Sequence, residues 1–418
     1  MRPAFLAGLA LLACSATGTR AEPGGTPDAP PRLEIAAEAQ PETVFRWATQ
    51  RCGDMNLPDS PARALRTRSG VLLLAAHFIN IPLLGADFDH LAPSCAASSQ
   101  GAEAADPTRF QDRFWVQALL PLPPASPGRP GQVVGLASHE YMGWRHSGRC
   151  AAPFDGSGRR PAAFRCWYSA ITAVVAEEGD WRFQPVPAPD GPAGRGLVVA
   201  ASPYPYDPTA TARTGFFSVS NALIEGEHAF ALVYTEGVPG QPRGNCLLRA
   251  RLTEALKGWE LLSRGGYAPR SENGAASPTR PCDIVGSAVF GGAPVRSVIR
   301  VASPAGPWWL AVFTRAAPRD APPGTPEGVF YSRSRDLRNW APAEQLWAMR
   351  PFRSQPEAGV YYEYPSLVDH ASPSPVFDRA AEEPGKADLH LYLTRLNLMN
   401  RKQGLDRDLV RVSVKVSP

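Results

Sequence analysis

The sequence predicts an all-β protein with the architecture of a five-bladed β-propeller, and three observations support this fold class. Proline and glycine, 45 and 37 of the 418 residues, interrupt the chain throughout. Runs of β-branched and aromatic residues lie between these interruptions and fall into five groups. Three of the groups end in a similar turn, which indicates a repeated unit.

The five groups of predicted strands follow one another along the chain. The first contains 62–66, 71–78, 82–86 and a short run near Leu91, and the second contains 113–120, 133–141, 167–176 and 181–186. The third contains 216–223, 228–235, 246–252 and 259–262. The fourth contains 284–290, 295–300, 308–314, 329–333 and 340–347, and the fifth contains 364–368, 388–395 and 409–416. One window free of proline and glycine, 42–50, predicts one or two helical turns.

The repeated turn precedes a tryptophan at Trp181, Trp259 and Trp340, spaced by 78 and then 81 residues. A tight turn followed by an aromatic residue that packs between neighbouring sheets is a typical end of a propeller blade. A propeller also leaves few exposed strand edges. Two β-sandwich domains are the competing architecture, although no linker divides the chain near its middle.

The first residues have the composition of an export signal. Arg2 precedes an apolar run at 4–13, which is long enough for a signal peptide and too short to span a bilayer. Two processing sites compete: a lipobox-like Leu-Leu-Ala before Cys14, which would leave a lipidated cysteine, and Thr-Arg-Ala ending at Ala21. We therefore expect a signal over 1–21, a leader over 22–40 and one propeller domain over 41–418.

Six cysteines remain beyond Cys14, and an even number in an exported protein predicts disulfides. Six cysteines allow 15 pairings. Pairing sequence neighbours gives Cys52–Cys95, Cys150–Cys166 and Cys246–Cys282. A zinc site is the weaker interpretation, because the cysteines lack metal-ligand spacing.

Composition and missing motifs exclude several functions. The net charge is +4 and the basic residues form no runs, so no nucleic-acid partner is expected. The sequence has no phosphate-binding glycine loop and no Gly-x-Ser-x-Gly elbow. We predict no cofactor and no metal; propellers of this kind can hold a central Ca²⁺, and nothing in the sequence predicts one.

The stretch from Cys52 to Arg63 contains the first candidate catalytic group. Pro58 and Pro61 fix the backbone on either side of Asp59, just before an apolar strand. A carboxylate on such a stiff loop end suits catalysis, and Arg63 would keep it ionised. The alternative is an ordinary Asx turn before a strand.

Several segments resemble known enzymes. Residues 331–340 resemble the S-x-S-x-D-L-x-x-W strand–turn–strand of five-bladed glycoside hydrolases such as glycoside hydrolase family 43. Residues 175–183 resemble the S-x-D-G-G-x-x-F turn of sialidase-like and arabinanase-like propellers. Exported bacterial proteins of this type are similar at 57–64, 110–115, 139–141, 166–172, 215–221 and 364–367.

In family 43, the resemblance implies an Asp base, an orienting Asp and a Glu acid on the innermost strands of the first three blades. Asp59 matches the first position and Asp112 the second. The third position departs from the family pattern, because 216–223 contains no carboxylate. Glu140 is the nearest substitute, and Glu363 is the other option.

Glycoside hydrolysis needs two carboxyl groups in different protonation states. Glu140 is expected to be the acid, since its aromatic neighbours would raise its pKa; Asp59 is the expected base and Asp112 the orienting group. Structural ion pairing is the alternative for Asp112 and Arg113. The residues expected to bind substrate are Arg63, Arg113, Trp115, His139, Asn221, Tyr362 and Glu363.

These observations predict an exported glycoside hydrolase-like protein that cleaves a poly- or oligosaccharide. The first alternative is a non-catalytic glycan-binding propeller at the cell surface, and the second is a structural or protein-binding propeller. We expect a monomer that is periplasmic, extracellular or anchored to the outer membrane, with membrane contact only through a lipid on Cys14.

Overall fold

The computed structural model describes residues 29–122, 124, 130–151, 165–189, 194–269, 281–318, 320–351, 359–382, 386–399 and 402–417. The signal and Cys14 lie outside these residues. The protein is all-β, as predicted: the described residues form 27 strands, four short 3₁₀ turns and two single-turn helices, α1 (Trp47–Gln50) and α2 (Ser287–Phe290). Within the described ranges, no helix has both the length and the apolar character needed to cross a membrane.

The strands form five mainly antiparallel sets, numbered here in chain order. The first set contains β3 (Pro58–Thr67), β4 (Gly70–Ala76), β5 (Leu83–Gly85) and β6 (Ala92–Pro93). The second set contains β7 (Arg113–Leu122), β8 (Gln132–Met142) and β9 (Trp167–Glu177), with β10 (Gln184–Pro185) and β11 (Val198–Ala201) paired to β9.

The third set contains β12 (Thr214–Val219), β13 (Leu223–Glu225), β14 (His228–Thr235), β15 (Gly244–Arg251), β16 (Glu260–Ser263), β17 (Gly266–Pro269) and β18 (Ile284–Val285). A short parallel contact between β9 and β12 joins the second and third sets into one 12-stranded sheet. Gly215 permits this approach, because a Cβ there would lie 2.0 Å from the carbonyl oxygen of Ser169.

The fourth set contains β19 (Ser297–Val301), β20 (Trp308–Arg315), β21 (Gly328–Ser334) and β22 (Glu344–Ala348), with β24 (Arg379–Ala380) beside β19. The fifth set contains β23 (Val360–Asp369), β25 (Leu389–Met399) and β26 (Lys402–Ser413), and β2 (Glu42–Phe45) completes it. Near the two ends of the described chain, β1 (Arg32–Glu34) pairs with β27 (Lys415–Ser417). Each main set contains most of one predicted group, but residues 284–285, predicted in the fourth group, form β18 and pair with β15 of the third set.

Five hydrophobic clusters fill the spaces between neighbouring sets. They lie between the first and second sets, the second and third, the third and fourth, the fourth and fifth, and the fifth and first. Strand β4 shows how one set contributes to two clusters. Leu72 and Leu74 face the cluster between the first and second sets, while Val71 and Leu73 face the cluster between the fifth and first. Because a strand alternates its side chains, a set buried on both faces has a continuous apolar sequence.

The repeated tryptophans lie between the sets, as predicted. Trp181, Trp259 and Trp340 are buried in three different clusters. The indole of Trp259 donates a hydrogen bond to the carbonyl of Ala255 at 2.8 Å, and that of Trp340 donates to Leu337 at 3.1 Å. Each indole therefore fixes the turn that precedes it.

All three predicted disulfides are confirmed. The Cα–Cα distances are 5.5 Å for Cys52–Cys95, 5.7 Å for Cys150–Cys166 and 5.8 Å for Cys246–Cys282. Each bridge joins cysteines that are neighbours in the sequence, so it closes a local loop and leaves the contacts between sets to apolar packing.

Three predicted segments differ from the structure. The helix predicted over 42–50 is strand β2 followed by a single turn, because Glu42–Phe45 pairs with β26. The strand predicted over 284–290 stops at Val285, and α2 follows between Gly286 and Gly291, whose φ angles are 60° and 57°. The leader predicted over 22–40 includes strand β1.

Candidate active site

A cavity of about 490 Å³ lies at one end of the first strands of the five sets, which are β3, β7, β12, β19 and β23. Residues in or just before β3, β7, β12, β19 and β23 contribute to its lining, as do residues at or just after the ends of β4, β8, β14 and β20. Its ionisable lining residues are Asp59, His77, Glu140, Arg213, Glu236, Arg243, Arg296 and Glu363. Its aromatic lining residues are Trp115, Trp167, Phe217, Tyr234 and Tyr364.

Asp59 accepts contacts from four side chains. Arg407 and the Tyr364 hydroxyl donate to Oδ1, the latter at 3.2 Å. The indole of Trp115 donates to Oδ2 at 3.3 Å, and His77 Nε2 lies 3.5 Å from the same oxygen. Burial lowers the pKa of His77 to about 4, so His77 is neutral at pH 7. The cation beside Asp59 is therefore Arg407.

Irregularities in the strands bring these groups together. The pairing of β3 with β4 shifts between Pro58 and Arg63, and the pairing of β23 with β25 shifts between Glu363 and Ser366. Within the second irregularity, Tyr364 has a φ of 58°, which is rare for a residue of its size. Bulges re-aim side chains next to active sites, and here they direct Asp59 and Tyr364 toward each other.

Glu140 lies near the end of β8, between Arg113 of β7 and Ser169 of β9. Its side chain is almost fully buried, and the Ser138 hydroxyl donates to it at 3.2 Å. Burial raises its pKa to about 7; the negative charge of Asp59 adds to the rise and Arg213 opposes it. At neutral pH, Glu140 can therefore carry a proton while facing the cavity.

Glu236 is a carboxylate that sequence reasoning missed. It follows β14, and Arg213 holds it through Nη2 at 2.6 Å and Nε at 2.9 Å. Arg243 Nε lies 3.8 Å from its other oxygen. The guanidinium of Arg213 also lies over the ring of Phe217, 3.3 Å from its centroid.

A positional pattern could have found Glu236. Glu140 lies near the end of the second strand of the second set, and Glu236 follows the second strand of the third set. His77 follows the second strand of the first set. Once the strands are grouped, the end of each second strand is a place to search for cavity residues.

Of the residues expected to act on or bind substrate, Asp59, Glu140, Trp115 and Glu363 line the cavity together. Asp112 does not line it. Its carboxylate is 1% exposed, and its Oδ2 lies 3.0 Å from Nε2 of His146. His139 is also buried outside the lining, where its Nε2 accepts from the amide of Asp112 at 3.0 Å. Burial lowers the pKa of His139 to about 3, so it is neutral.

The other expected binding residues make structural contacts. Arg113 pairs with Glu103 at 2.8 Å and lies over the ring of Phe78. Asn221 exchanges two hydrogen bonds with the backbone of Val298, at 2.7 and 2.8 Å, and so joins the third and fourth sets. The ring of Tyr362 lies 5.5 Å from that of Trp347.

Arg63 lies beneath the cavity rather than in it. Its guanidinium donates to the carbonyls of Ala62, Gln117, Val219 and Arg296 and to the hydroxyl of Ser366. These acceptors come from the first strand of every set or from the residue just before it. Burial and the neighbouring Arg296 lower the pKa of Arg63 to about 9, so it is still a cation at pH 7.

No protein-family model matches the chain, and no curated protein matches it. The chain is similar to the α-L-arabinanase of Cellvibrio cellulosa complexed with arabinohexaose, at 10% identity and a TM-score of 0.41 over 86% of this chain and 92% of the arabinanase. It is similar to the α-L-arabinofuranosidase of Fusarium graminearum bound to an iminosugar inhibitor, at 12% identity and a TM-score of 0.43 over 90% and 97%.

A third solved structure, which is similar to this chain to about the same degree, is that of an enzyme named for a different reaction. The N-acetylgalactosamine deacetylase of F. plautii, in complex with blood group B trisaccharide, aligns at 10% identity and a TM-score of 0.43 over 90% of this chain and 95% of the deacetylase. At such identities and TM-scores, these likenesses carry no argument about family or activity. A functional proposal for this chain rests on its cavity.

Proposed function

We propose that the protein is a glycoside hydrolase-like enzyme that cleaves the glycosidic bonds of a poly- or oligosaccharide. The observation that carries the proposal is the pairing of two carboxyl groups in opposite environments within one cavity. Asp59 faces a guanidinium, whereas burial raises the pKa of Glu140 to about 7. Two carboxyl groups in different protonation states are the minimum for glycoside hydrolysis.

In the proposed reaction, Glu140 donates its proton to the glycosidic oxygen as the bond to the anomeric carbon breaks. Asp59 acts on the opposite face of the sugar. It either takes a proton from the attacking water, or attacks the anomeric carbon and is released by water in a second step. In both cases Glu140 starts protonated, which its burial favours.

The remaining lining residues suit a sugar. The aromatic faces of Trp115 and Trp167 can stack on the apolar side of a pyranose or furanose ring. Arg296 donates to the Ser218 hydroxyl at 2.7 Å and lies 5.0 Å from the centroid of the Tyr364 ring. Its guanidinium is a donor for sugar hydroxyls or carboxylates.

Asp112 remains in the proposal as a positioning residue. Its Oδ2 accepts from the amide of Met142 at 3.4 Å, and Met142 lines the cavity two residues after Glu140. Asp112 would thus hold the end of β8 in place from behind. It would not touch the sugar.

The described strand sets support five blades. Each set packs against two neighbours through the five clusters, and Arg63 joins the first strands at the centre. Three disulfides favour an oxidising compartment, so we also propose export, with either a free N-terminus after Ala21 or a lipid on Cys14. We propose a monomer.

A non-catalytic glycan-binding propeller is the second candidate, and one observation favours it. Four side chains already contact the carboxylate of Asp59, which leaves it poorly placed to accept a proton from water. In that case the aromatic and arginine side chains would bind a glycan without cleaving it.

The test is a hydrolysis screen of the mature protein against aryl glycosides and polysaccharides. Asp59→Asn and Glu140→Gln accompany the wild type, and Glu260→Gln, which alters a pair with Arg249 on the third set, is the control. Activity lost in the first two variants and retained in the control supports the enzyme. Glycan retention with no hydrolysis by any form supports the binding protein, and activity that survives both changes refutes the assignment.

A further inference from the structure

A second group of potential ligands lies at the opposite end of the fifth set from the cavity. Strand β23 begins near Glu363 and Tyr364, which line the cavity, and His370 follows its last residue. Tyr364 and His370 are six residue steps apart along an extended chain, which is about 20 Å. Asp388 precedes β25, and His390 is its second residue, opposite Val368 of β23.

We propose that His370, Asp388 and His390 bind one divalent transition-metal ion of the zinc type. One ligand atom from each residue lies within 4.8 Å of the other two. His390 Nε2 lies 2.9 Å from Oδ1 of Asp388, and His370 Nδ1 lies 3.6 Å from its Oδ2. The carboxylate therefore lies against both imidazoles, and small side-chain rotations would bring all three onto an ion at about 2.0–2.2 Å.

The surroundings orient His370 for this role. Its Nε2 lies 2.8 Å from the hydroxyl of Tyr392, so when Nε2 carries the proton the lone pair of Nδ1 faces Asp388. Metal-binding histidines usually hold their second nitrogen in this way. The ring lies between two others, 3.8 Å from that of Phe88 and 4.1 Å from that of His390, so the rotations that bring the ligands onto an ion would be mainly those of Asp388 and His390.

The backbone of Asp388 is also fixed. Its amide donates to Oδ1 of Asp369 at 2.9 Å, and the amide of Ala371 donates to the same oxygen at 3.0 Å. One buried carboxylate thus ties the residue after His370 to the residue that precedes β25. Ligands held by such contacts lose little conformational freedom when an ion binds.

The donor set selects the class of ion. Two imidazole nitrogens and one carboxylate suit Zn²⁺ and its neighbours in the first transition row, whereas Ca²⁺ and Mg²⁺ prefer oxygen ligands alone. Arg411 is the cation nearest to these histidines, and two carboxylates neutralise it: Asp89 at 2.5 Å and Glu42 at 2.9 Å. Its charge therefore opposes metal binding only weakly.

The position suggests what the ion does. Phe88, which stacks on His370, belongs to the segment after β5 of the first set, while all three ligands belong to the fifth set. An ion here would fix the segment between β23 and β25 against the seam where the fifth and first sets meet. The site would stabilise that seam, and this role is independent of the proposed hydrolase activity.

The test uses the mature protein, without a polyhistidine tag and stripped with EDTA. Isothermal titration with ZnCl₂ is expected to show one ion per chain. Asp388→Asn and His390→Gln should each weaken binding at least about 100-fold. His90→Gln is the matched control, because His90 pairs with Asp87 on the surface and belongs to no described metal cluster.

Two further readouts separate a lost ligand from a lost fold. Zn²⁺ should raise the unfolding temperature of the wild type and of His90→Gln but not that of Asp388→Asn. The side chain of Asp388 is 59% exposed, so this substitution leaves the hydrophobic core unchanged. Co²⁺ should give a d–d absorption band that the same variant lacks. Absence of stoichiometric Zn²⁺ binding, or binding retained in both ligand variants, overturns the proposal.

Discussion

Arg407 of β26 and Asp59 of β3 form an ion pair beside the cavity, although 348 residues separate them in the sequence. Asp59 begins the first set, and Arg407 belongs to the fifth. The exposed fractions of the two side chains are 17% and 12%, so water screens the pair only in part. The geometry of Asp59 therefore depends on how the two sets meet.

We expect Arg407→Gln to lower both stability and activity. Removing one partner of a largely buried pair leaves the carboxylate uncompensated, which costs about 3 kcal/mol of unfolding free energy. Loss of the contact that orients Asp59 should lower kcat/KM about 100-fold. Urea unfolding and steady-state kinetics on the substrate found by the screen measure the two effects.

The matched control for this change is Arg395→Gln. Arg395 of β25 pairs with Asp408 of β26 at 2.6 Å, next to Arg407 in the sequence, and neither residue lines the cavity. This variant should lose stability and keep kcat/KM. Equal losses of activity in both variants would mean that Arg407 acts through the fold alone.

The activity should fall as the pH rises through about 7. The proposed acid, Glu140, works when protonated, and burial raises its pKa to about 7. The pH profile of kcat/KM measures this value for the free enzyme. Glu140→Gln should lower kcat/KM by roughly 10²–10⁴-fold and remove this basic limb. If the residual activity of Glu140→Gln still falls as the pH rises through about 7, the group that donates the catalytic proton is not Glu140.

Glu140 should also affect stability, whether or not the protein is an enzyme. Its folded pKa is raised from 4.5 to about 7, so the folded state binds its proton more tightly than the unfolded state. The associated stability is fully present below pH 4.5 and is lost as the pH rises to about 7. Glu140→Gln should therefore gain up to about 3 kcal/mol relative to the wild type between pH 4.5 and 8.

The difference in unfolding free energy between the wild type and Glu140→Gln, measured against pH, reports on Glu140 alone. Burial lowers the pKa of His77 to about 4 and that of His139 to about 3, and these shifts destabilise the fold as the pH falls. Both proteins share them, so they cancel in the comparison. Parallel stability profiles for wild type and variant would show that Glu140 is not buried in solution.

Arg63 should be among the most sensitive residues for stability. Arg63→Met removes the guanidinium donors to the carbonyls of Gln117, Val219 and Arg296, and each buried acceptor left unpaired costs about 1–3 kcal/mol. We expect a loss of at least about 4 kcal/mol in urea unfolding. Arg63→Lys should lose less, because lysine keeps the charge and three donors.

The control for this series is Arg66→Met, on the same strand. Arg66 is exposed and donates to the carbonyl of Ser372 at 2.7 Å, so its loss should cost about 1 kcal/mol or less. Similar losses at the two positions would argue against a central role for Arg63.

The strands and the disulfides were largely predictable from the sequence, because they depend on local patterns. Apolar runs and Pro-Gly interruptions gave the five groups, and pairing neighbouring cysteines gave all three bridges. One failure comes from a long-range contact and the other from the local backbone. In 42–50, strand pairing across the chain overrides helix propensity, and after Val285 two glycines in left-handed conformation begin and end a helical turn.

The site was only partly predictable, since its partners come from distant strands. The two prolines around Asp59 predict a catalytic carboxylate, but the same stretch predicts Arg63, four residues away, as its cation. In the structure Arg63 points to the centre of the fold, and Arg407 contacts the carboxylate. The contact of Tyr364 with Asp59 could not be predicted, because the left-handed backbone that directs its hydroxyl to Asp59 has no signature in a single sequence.

The pairing of β2 with β26 imposes an order on folding. Glu42 and Arg411, which are paired across these strands, are 369 residues apart, so the fifth set gains its last strand only after almost all of the described chain has been made. Until β26 is present, β2 has no strand to pair with and its backbone groups lack hydrogen-bond partners. Closing so long a loop is also slow. We expect the chain in which β2 and β26 are not yet paired to be the form most prone to aggregation and to chaperone binding. Once they are paired, we expect the protein to resist unfolding from either end.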